Sequence, residues 1–171
     1  EGRNWAWAVD GSPADCVKLS IGELLRDNPV DLVVSGINNG LNAGINVLYS
    51  GTVAAAIEGA FFGVTSVAVS LEYCEDADFQ SAAVIARNVI GGIVKQPAAK
   101  GGLFNLNIPT VATESPTDLR IVPMALAQYG HSYEKRQDPS GRDYYWALWS
   151  EPTHPPAEEA DVTELRRGNV T

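Results

Sequence analysis

The 171-residue sequence is short of cysteine, histidine and positive charge, and each shortage closes off a class of function. Cys16 and Cys74 are too few and too far apart for a disulfide framework or a zinc site, and they read as reduced packing residues. Lys and Arg number 12 against 21 Asp and Glu, a net charge of -9. Nucleic acids and anionic membranes are held by basic faces, so no stable partner of either kind is expected. A small anion held by backbone N–H groups or through a metal ion stays open. No apolar run reaches the ~18 to 20 residues that cross a bilayer, and no charged and apolar leader pattern opens the chain. The expected compartment is cytoplasmic. His131 and His154, the only histidines, stand far in sequence from the stretch that carries the chemistry and are discounted as general bases.

What is present is an ordinary globular mixture, 45% hydrophobic and 19% charged, arranged as apolar strands alternating with amphipathic helices. Residues 5–9 read as a short strand. Ser12-Pro13-Ala14-Asp15 opens a helix with serine at the cap, proline in the first turn and an acid placed to satisfy a free N–H. Leu32-Val33-Val34 reads as a buried strand and 36–49 as a loop. A helix follows over 50–62 with Val53, Ile57, Ala60 and Phe61 facing the core. Residues 66–70 form a strand, 79–94 a helix closed by Pro97, and 103–108 another strand. The core face of this third helix, 79–94, carries Ala82, Ile85, Ala86, Val89, Ile90 and Ile93. A strand over 119–124, a long hairpin over 129–149 turning at Asp138-Pro139-Ser140-Gly141, and a short helix over 161–167 complete the pattern.

Strands alternating with helices predict an α/β fold: a three-layer, Rossmann-like, mostly parallel sheet with right-handed crossovers and an appended C-terminal β-hairpin arm. The expected division is a core over 1–127 and an arm with the C-terminal segment over 128–171. Tyr144, Tyr145, Trp146 and Trp149 give the arm more aromatic surface than a lone hairpin covers. A homodimer or homotetramer joined through 128–150 is therefore expected.

The chemistry concentrates in Ser35-Gly36-Ile37-Asn38-Asn39-Gly40-Leu41-Asn42-Ala43-Gly44, running on to Tyr49-Ser50-Gly51-Thr52. Ligands of open α/β sheets bind where a parallel strand ends. Gly36, Gly40 and Gly44 permit positive φ, and Asn38, Asn39 and Asn42 supply amide donors and acceptors. Ser50-Gly51-Thr52 begins a helix, whose free N–H groups and two hydroxyls suit an anion. The pattern is neither the dinucleotide G-x-G-x-x-G nor a P-loop. A plain structural reading, with Ser50 only capping a helix, competes with the anion site. Glu58 reads as a polar-face residue, and Asp15 as a helix cap.

The run 31–70, with its SGIN-x-G-x-N-x-G and YSGT elements, resembles the SurE family of metal-dependent nucleotidases. Residues 10–18 (DGSPADCVK), Asn105-Leu106-Asn107-Ile108-Pro109, Asp143-Tyr144-Tyr145-Trp146 and the closing DVTELRRGNVT are similar to further landmarks of that family. The resemblance implies a metal-dependent phosphomonoester hydrolase acting on nucleoside 5′- or 3′-monophosphates, with Mg²⁺ or Mn²⁺ as cofactor. It implies Asn38 as a metal ligand and Asn42, Ser50, Gly51 and Thr52 as the residues that receive the phosphate. The family also opens with adjacent aspartates on its first strand. No Asp-Asp pair occurs in these 171 residues, so the catalytic aspartates are expected outside them, and this piece alone is expected to be inactive. The alternative is a non-catalytic nucleotide- or phosphate-binding module of the same fold.

Overall fold

The computed structural model describes residues 6–96, 100–126, 129–152 and 157–171, with the side chains of 129–131 and 149–152 left aside. His154 and Pro97 lie outside the described residues, as do the side chains of His131 and Trp149. A helix, α1 (Pro13–Leu19), opens the ordered core. Its N-terminus is a capping box in which the Ser12 hydroxyl accepts from the Asp15 N–H and the Asp15 carboxylate accepts from the Ser12 N–H at 2.8 Å. The helix runs on into a π-helical turn over Ser20–Leu24.

Three parallel strands follow, β1 (Leu32–Asn39), β2 (Thr65–Leu71) and β3 (Leu103–Ile108), hydrogen-bonded in the order β1-β2-β3. Helix α2 (Gly51–Phe61) joins the first two strands and α3 (Phe79–Ile93) the second two. Every residue of β2 is buried, so its alternate side chains serve two different layers. Val67, Val69 and Leu71 point to α3, where they meet Ala82 and Ala86, together with Leu106 and Ile108 of β3. Ala68 points the other way, to Val53 and Ala56 of α2. Each fully buried Val or Leu here contributes ~1.5 to 3 kcal/mol relative to an exposed one. Helix α2 lies especially close to the sheet: a Cβ on Gly59 would stand 2.4 Å from the Ser66 hydroxyl and 2.9 Å from Val33 Cγ2.

The three-layer α/β expectation is met, and so is the hairpin. Strands β4 (Tyr129–Gln137) and β5 (Asp143–Pro152) pair antiparallel as a separate two-stranded sheet. The Asp138 carboxylate closes their turn by accepting from the N–H groups of Ser140 and Arg142. Tyr133, Tyr145 and Trp146 are all more than half exposed on this arm. A short helical turn, α4 (Val111–Glu114), follows β3, and α5 (Asp161–Arg166) stands where the short C-terminal helix was expected. The chain ends beside the main sheet: Thr171 and Asn107 exchange backbone hydrogen bonds at 3.1 and 2.8 Å.

Five local expectations fail. Residues 6–9 are not a strand, because no described strand pairs with them. The strand expected over 119–124 shrinks to one bridge between Leu119 and Val170, and Ile121 is 99% exposed. Strand β1 continues through Asn39 into the stretch read as loop, and Val34 stands 48% exposed because β1 forms the edge of the described sheet. Phe61 is 79% exposed, since α2 rests on the sheet through the small residues Ala56 and Gly59 instead. Finally, α2 and α3 cover opposite faces while the strand order advances one way. The two crossovers therefore have opposite hands, and one departs from the right-handed rule.

Candidate functional site

The C-terminal ends of the three strands bring polar side chains into one row. Asn38 of β1 is level with Ser70 of β2, which is level with Asn107 of β3. Just before that row β1 bulges, and the pairing to β2 skips Gly36 and Ile37, whose connecting peptide is cis. Gly36 has φ 127°, and a Cβ there would sit 2.3 Å from the carbonyl oxygen of Val69. No side chain fits against that carbonyl, which is why the sequence places glycine before Asn38. Gly40 and Gly44 also adopt positive φ, as their positions in the loop required.

Asn38 is partly buried, and its Nδ2 donates to the Gly40 carbonyl at 2.7 Å. That bond fixes the amide so that Oδ1, the better ligand for a hard cation or a donor group, is left without a protein partner among the described residues. Asn42 is buried and held on all sides. Its N–H donates to Asn107 Oδ1 at 2.8 Å, and its carbonyl accepts from Asn105 Nδ2 at 2.8 Å and from Asn107 Nδ2 at 3.2 Å. Its own Nδ2 donates to the Ser70 hydroxyl at 2.8 Å. The loop is thereby clamped onto β2 and β3.

From Gly44 a single stretch of 3₁₀ helix, Gly44–Tyr49, carries the chain to Ser50, the N-cap of α2. The Ser50 hydroxyl oxygen accepts from the Val53 N–H at 3.1 Å, so its capping role is present, while its O–H proton stays available to a ligand. The N–H groups of Gly51 and Thr52 and the hydroxyl of Thr52 have no hydrogen-bond partner among the described residues. Two free backbone donors and two hydroxyls thus converge on the positive end of one helix, the arrangement that receives anions. Gly51 also packs on Pro13, where a Cβ would come within 3.2 Å of the proline ring. Lys18 and Glu58, on the facing sides of α1 and α2, are 3.8 Å apart, which accounts for Glu58 as an interhelical ion-pair partner.

The residues singled out by sequence therefore fall along one path, from Asn38 at the end of β1 through Asn42 to the start of α2. The loop's supports, Ser70, Asn105, Asn107 and Asp161, fall in stretches that resemble family landmarks, but their supporting role is not assigned by the sequence. The one available signal was the pair of asparagines two apart on β3, which alternation places on one face.

A hard divalent cation takes several oxygen ligands, normally with carboxylates among them. Among the described residues no group of three or more His, Cys, Asp or Glu side chains comes together. Asn38 offers one neutral oxygen, so the described residues alone do not make up a Mg²⁺ or Mn²⁺ site. The groove between β1 and α3, about 460 Å³ and lined by Val34, Ile37, Val69 and Ile90, lies on the opposite face and is apolar. Among the described residues, Arg87 is the one charged side chain on its lining.

Comparison with known proteins bears on the same stretch. The family described as survival protein SurE matches residues 1–131. Over all 171 residues the chain is 74% identical to the 5′-nucleotidase SurE of Rhodopirellula baltica, covering 68% of that protein. It is 41% identical over 166 residues to the 5′-nucleotidase SurE of Syntrophomonas wolfei, covering 96% of this chain and 62% of that one. The crystal structure of the SurE protein from Aquifex aeolicus superposes with a TM-score of 0.79 at 31% identity, over 94% of this chain and 65% of that chain. The chain thus spans about two thirds of the length of these relatives. Among the described residues no helix is long and apolar enough to cross a membrane.

Proposed function

The chain belongs to the SurE family, and from that premise we propose that the full-length protein is a 5′-nucleotidase. It would hydrolyse nucleoside 5′-monophosphates, with the 3′-monophosphates as the alternative substrates to compare. The observation that carries this reading is the start of α2, where the free N–H groups of Gly51 and Thr52 meet the hydroxyls of Ser50 and Thr52. A phosphoryl group seated there places its oxygens against donors already fixed in space. Donors of that kind stabilise the charge that builds on those oxygens during transfer. Asn42 would hold the approach to this helix and, through the Nδ2 hydrogen not given to Ser70, donate to the same group.

The cofactor would be Mg²⁺ or Mn²⁺, polarising a phosphoryl oxygen when bound. Asn38 would supply one ligand, and the carboxylates would come from aspartates outside these 171 residues. The nucleotidase core would correspond to 1–127. Residues 128–171 would supply the arm and a closing segment, with 128–150 joining subunits in a homodimer or homotetramer. The enzyme would work in the cytoplasm, without a nucleic-acid or membrane partner.

Phosphate release from nucleoside monophosphates tests this reading. The full-length protein should turn over these substrates in the presence of Mg²⁺ or Mn²⁺, and the 171-residue chain alone should show only trace activity. Asn38→Ala in the full-length protein should lower kcat more than ~tenfold while leaving folding intact, because an absent ligand is felt most in the charged transition state. Wild-type activity of Asn38→Ala across a metal titration would remove Asn38 from the site. A full-length protein that binds the nucleotides without hydrolysing them would be the non-catalytic module.

A further inference from the structure

The clamp on Asn42 is matched by a second one, two residues further on, supplied by the closing stretch of the chain. Asp161, the first residue of α5, is 6% exposed, and both of its carboxylate oxygens are occupied by backbone donors. Oδ2 accepts from the N–H of Gly44 at 2.8 Å; Oδ1 accepts from Ala125 at 2.8 Å and from Val162 at 2.7 Å. Its own N–H donates to the Pro123 carbonyl at 3.0 Å. One buried side chain thus ties together the loop after β1, the extended segment before the arm and the C-terminal helix.

Gly44 is also held by shape. Its φ is 57°, and a Cβ would stand 3.2 Å from Val162 Cγ2 and 3.4 Å from the Ala125 carbonyl. Gly44 is the first residue of the 3₁₀ helix whose last residue, Tyr49, precedes Ser50. Where Gly44 is pinned therefore sets where the α2 start is presented. Hydrogen bonds from neutral N–H groups to a carboxylate are roughly twice as strong as neutral pairs, so this is the firmest anchor that segment has.

We infer that Asp161 is a positioning residue for the phosphate-receiving site, fixing Gly44 and through it the placement of Ser50, Gly51 and Thr52. The inference rests on the reading of that helix start as the phosphate site. A purely architectural Asp161 would dock α5 and nothing more.

Asp161→Asn in the full-length protein separates the two. The amide keeps one acceptor oxygen. With that oxygen toward Ala125 and Val162, the pose that preserves two bonds, its NH₂ faces the Gly44 N–H and releases it. Amide exchange at Gly44 should accelerate ~tenfold or more, and kcat/KM for a nucleoside monophosphate should fall by about the same factor, the scale of one lost bond to a charged acceptor. Leu165→Ala, a cavity in α5 at a buried residue whose side chain makes no hydrogen bond to the carboxylate or Gly44, should lower Tm and leave kcat/KM within ~twofold. Unchanged exchange at Gly44 in Asp161→Asn overturns the inference, and so does faster exchange with wild-type kcat/KM. In that last case Ser50→Ala and Thr52→Val decide what else falls: wild-type kinetics in both would take the phosphate-site reading down too, and impaired kinetics would confine the failure to Asp161. If Asp161→Asn does not fold, Asp161→Ser, whose hydroxyl still accepts one N–H, carries the same measurements.

Discussion

Asn105 and Asn107 stand two residues apart on one strand, touch the same loop residue, and should nonetheless differ sharply when truncated. Asn107→Ala strips the acceptor from the Asn42 N–H, which is bonded to Oδ1 at 2.8 Å and sits in a residue only 8% exposed. A buried donor left unsatisfied costs ~1 to 3 kcal/mol, and the cavity left by the side chain adds about 1 more. The Asn42 carbonyl keeps its bond from Asn105. The expected loss is about 3 kcal/mol, or ~6 to 12 °C in Tm for a domain of this size. Asn105→Ala removes one bond, at 2.8 Å, from a carbonyl that retains Asn107 Nδ2 at 3.2 Å. It also removes Asn105 Oδ1, a buried oxygen without a hydrogen-bond partner, and so relieves a desolvation cost of similar size. The two effects nearly cancel, leaving a change within about 1 kcal/mol. Urea unfolding followed by tryptophan fluorescence, with Tm from calorimetry, measures both. Equal losses, or a larger loss for Asn105→Ala, would refute the assignment of Asn107 as the main clamp on the loop.

Three further outcomes follow from the same geometry. Ser50→Ala and Thr52→Val should raise KM or lower kcat toward nucleoside monophosphates, since each lost bond to a charged group is worth ~1.5 to 3 kcal/mol; steady-state kinetics unchanged in both would reduce Ser50 to a helix cap. Deleting 128–150 should convert the proposed oligomer to a monomer by light scattering, because among the described residues the aromatic arm pairs with no strand of the main sheet, and an oligomer that survives the deletion would place the interface elsewhere. Stability should hold from neutral pH to about pH 5 and fall below about pH 4. The carboxyls of Asp15, Asp78 and Glu164 are held below their ordinary values by hydrogen bonds from Ser12, Ser81 and Asn169 respectively. A lowered folded-state pKa gives stability that is present above the unfolded value and lost as pH drops through the folded one. A Tm that stays level down to pH 3 would contradict this.

The features legible in the sequence share a property: their partners are close along the chain or fixed by periodicity. The Ser12–Asp15 capping box needs only four consecutive residues, and it formed as read. The apolar stripe of α3 and the bounds of β3 follow from spacing alone, and the glycines of the 36–44 loop show their positive φ because short-range sterics demanded it. Failures came where a remote partner decides the outcome. Residues 6–9 have strand composition but no described strand pairs with them, and Phe61 falls on a helical face that the close packing of Gly59 turned outward. The site divides along the same line. Asn38, Ser50, Gly51 and Thr52 could be picked out because they leave donors and acceptors open beside a strand end and a helix start. Asn107 and Asp161 lie in stretches that resemble family landmarks, but their role was not readable, because what they bind is the backbone of Asn42 and Gly44, and a backbone N–H looks the same at every position of a sequence. Gly44 and Asp161 are 117 residues apart and meet only after the C-terminal helix has returned to the sheet. Sensitivity to mutation should therefore extend well past the SGIN and YSGT elements, to the polar side chains that hold their backbone in place.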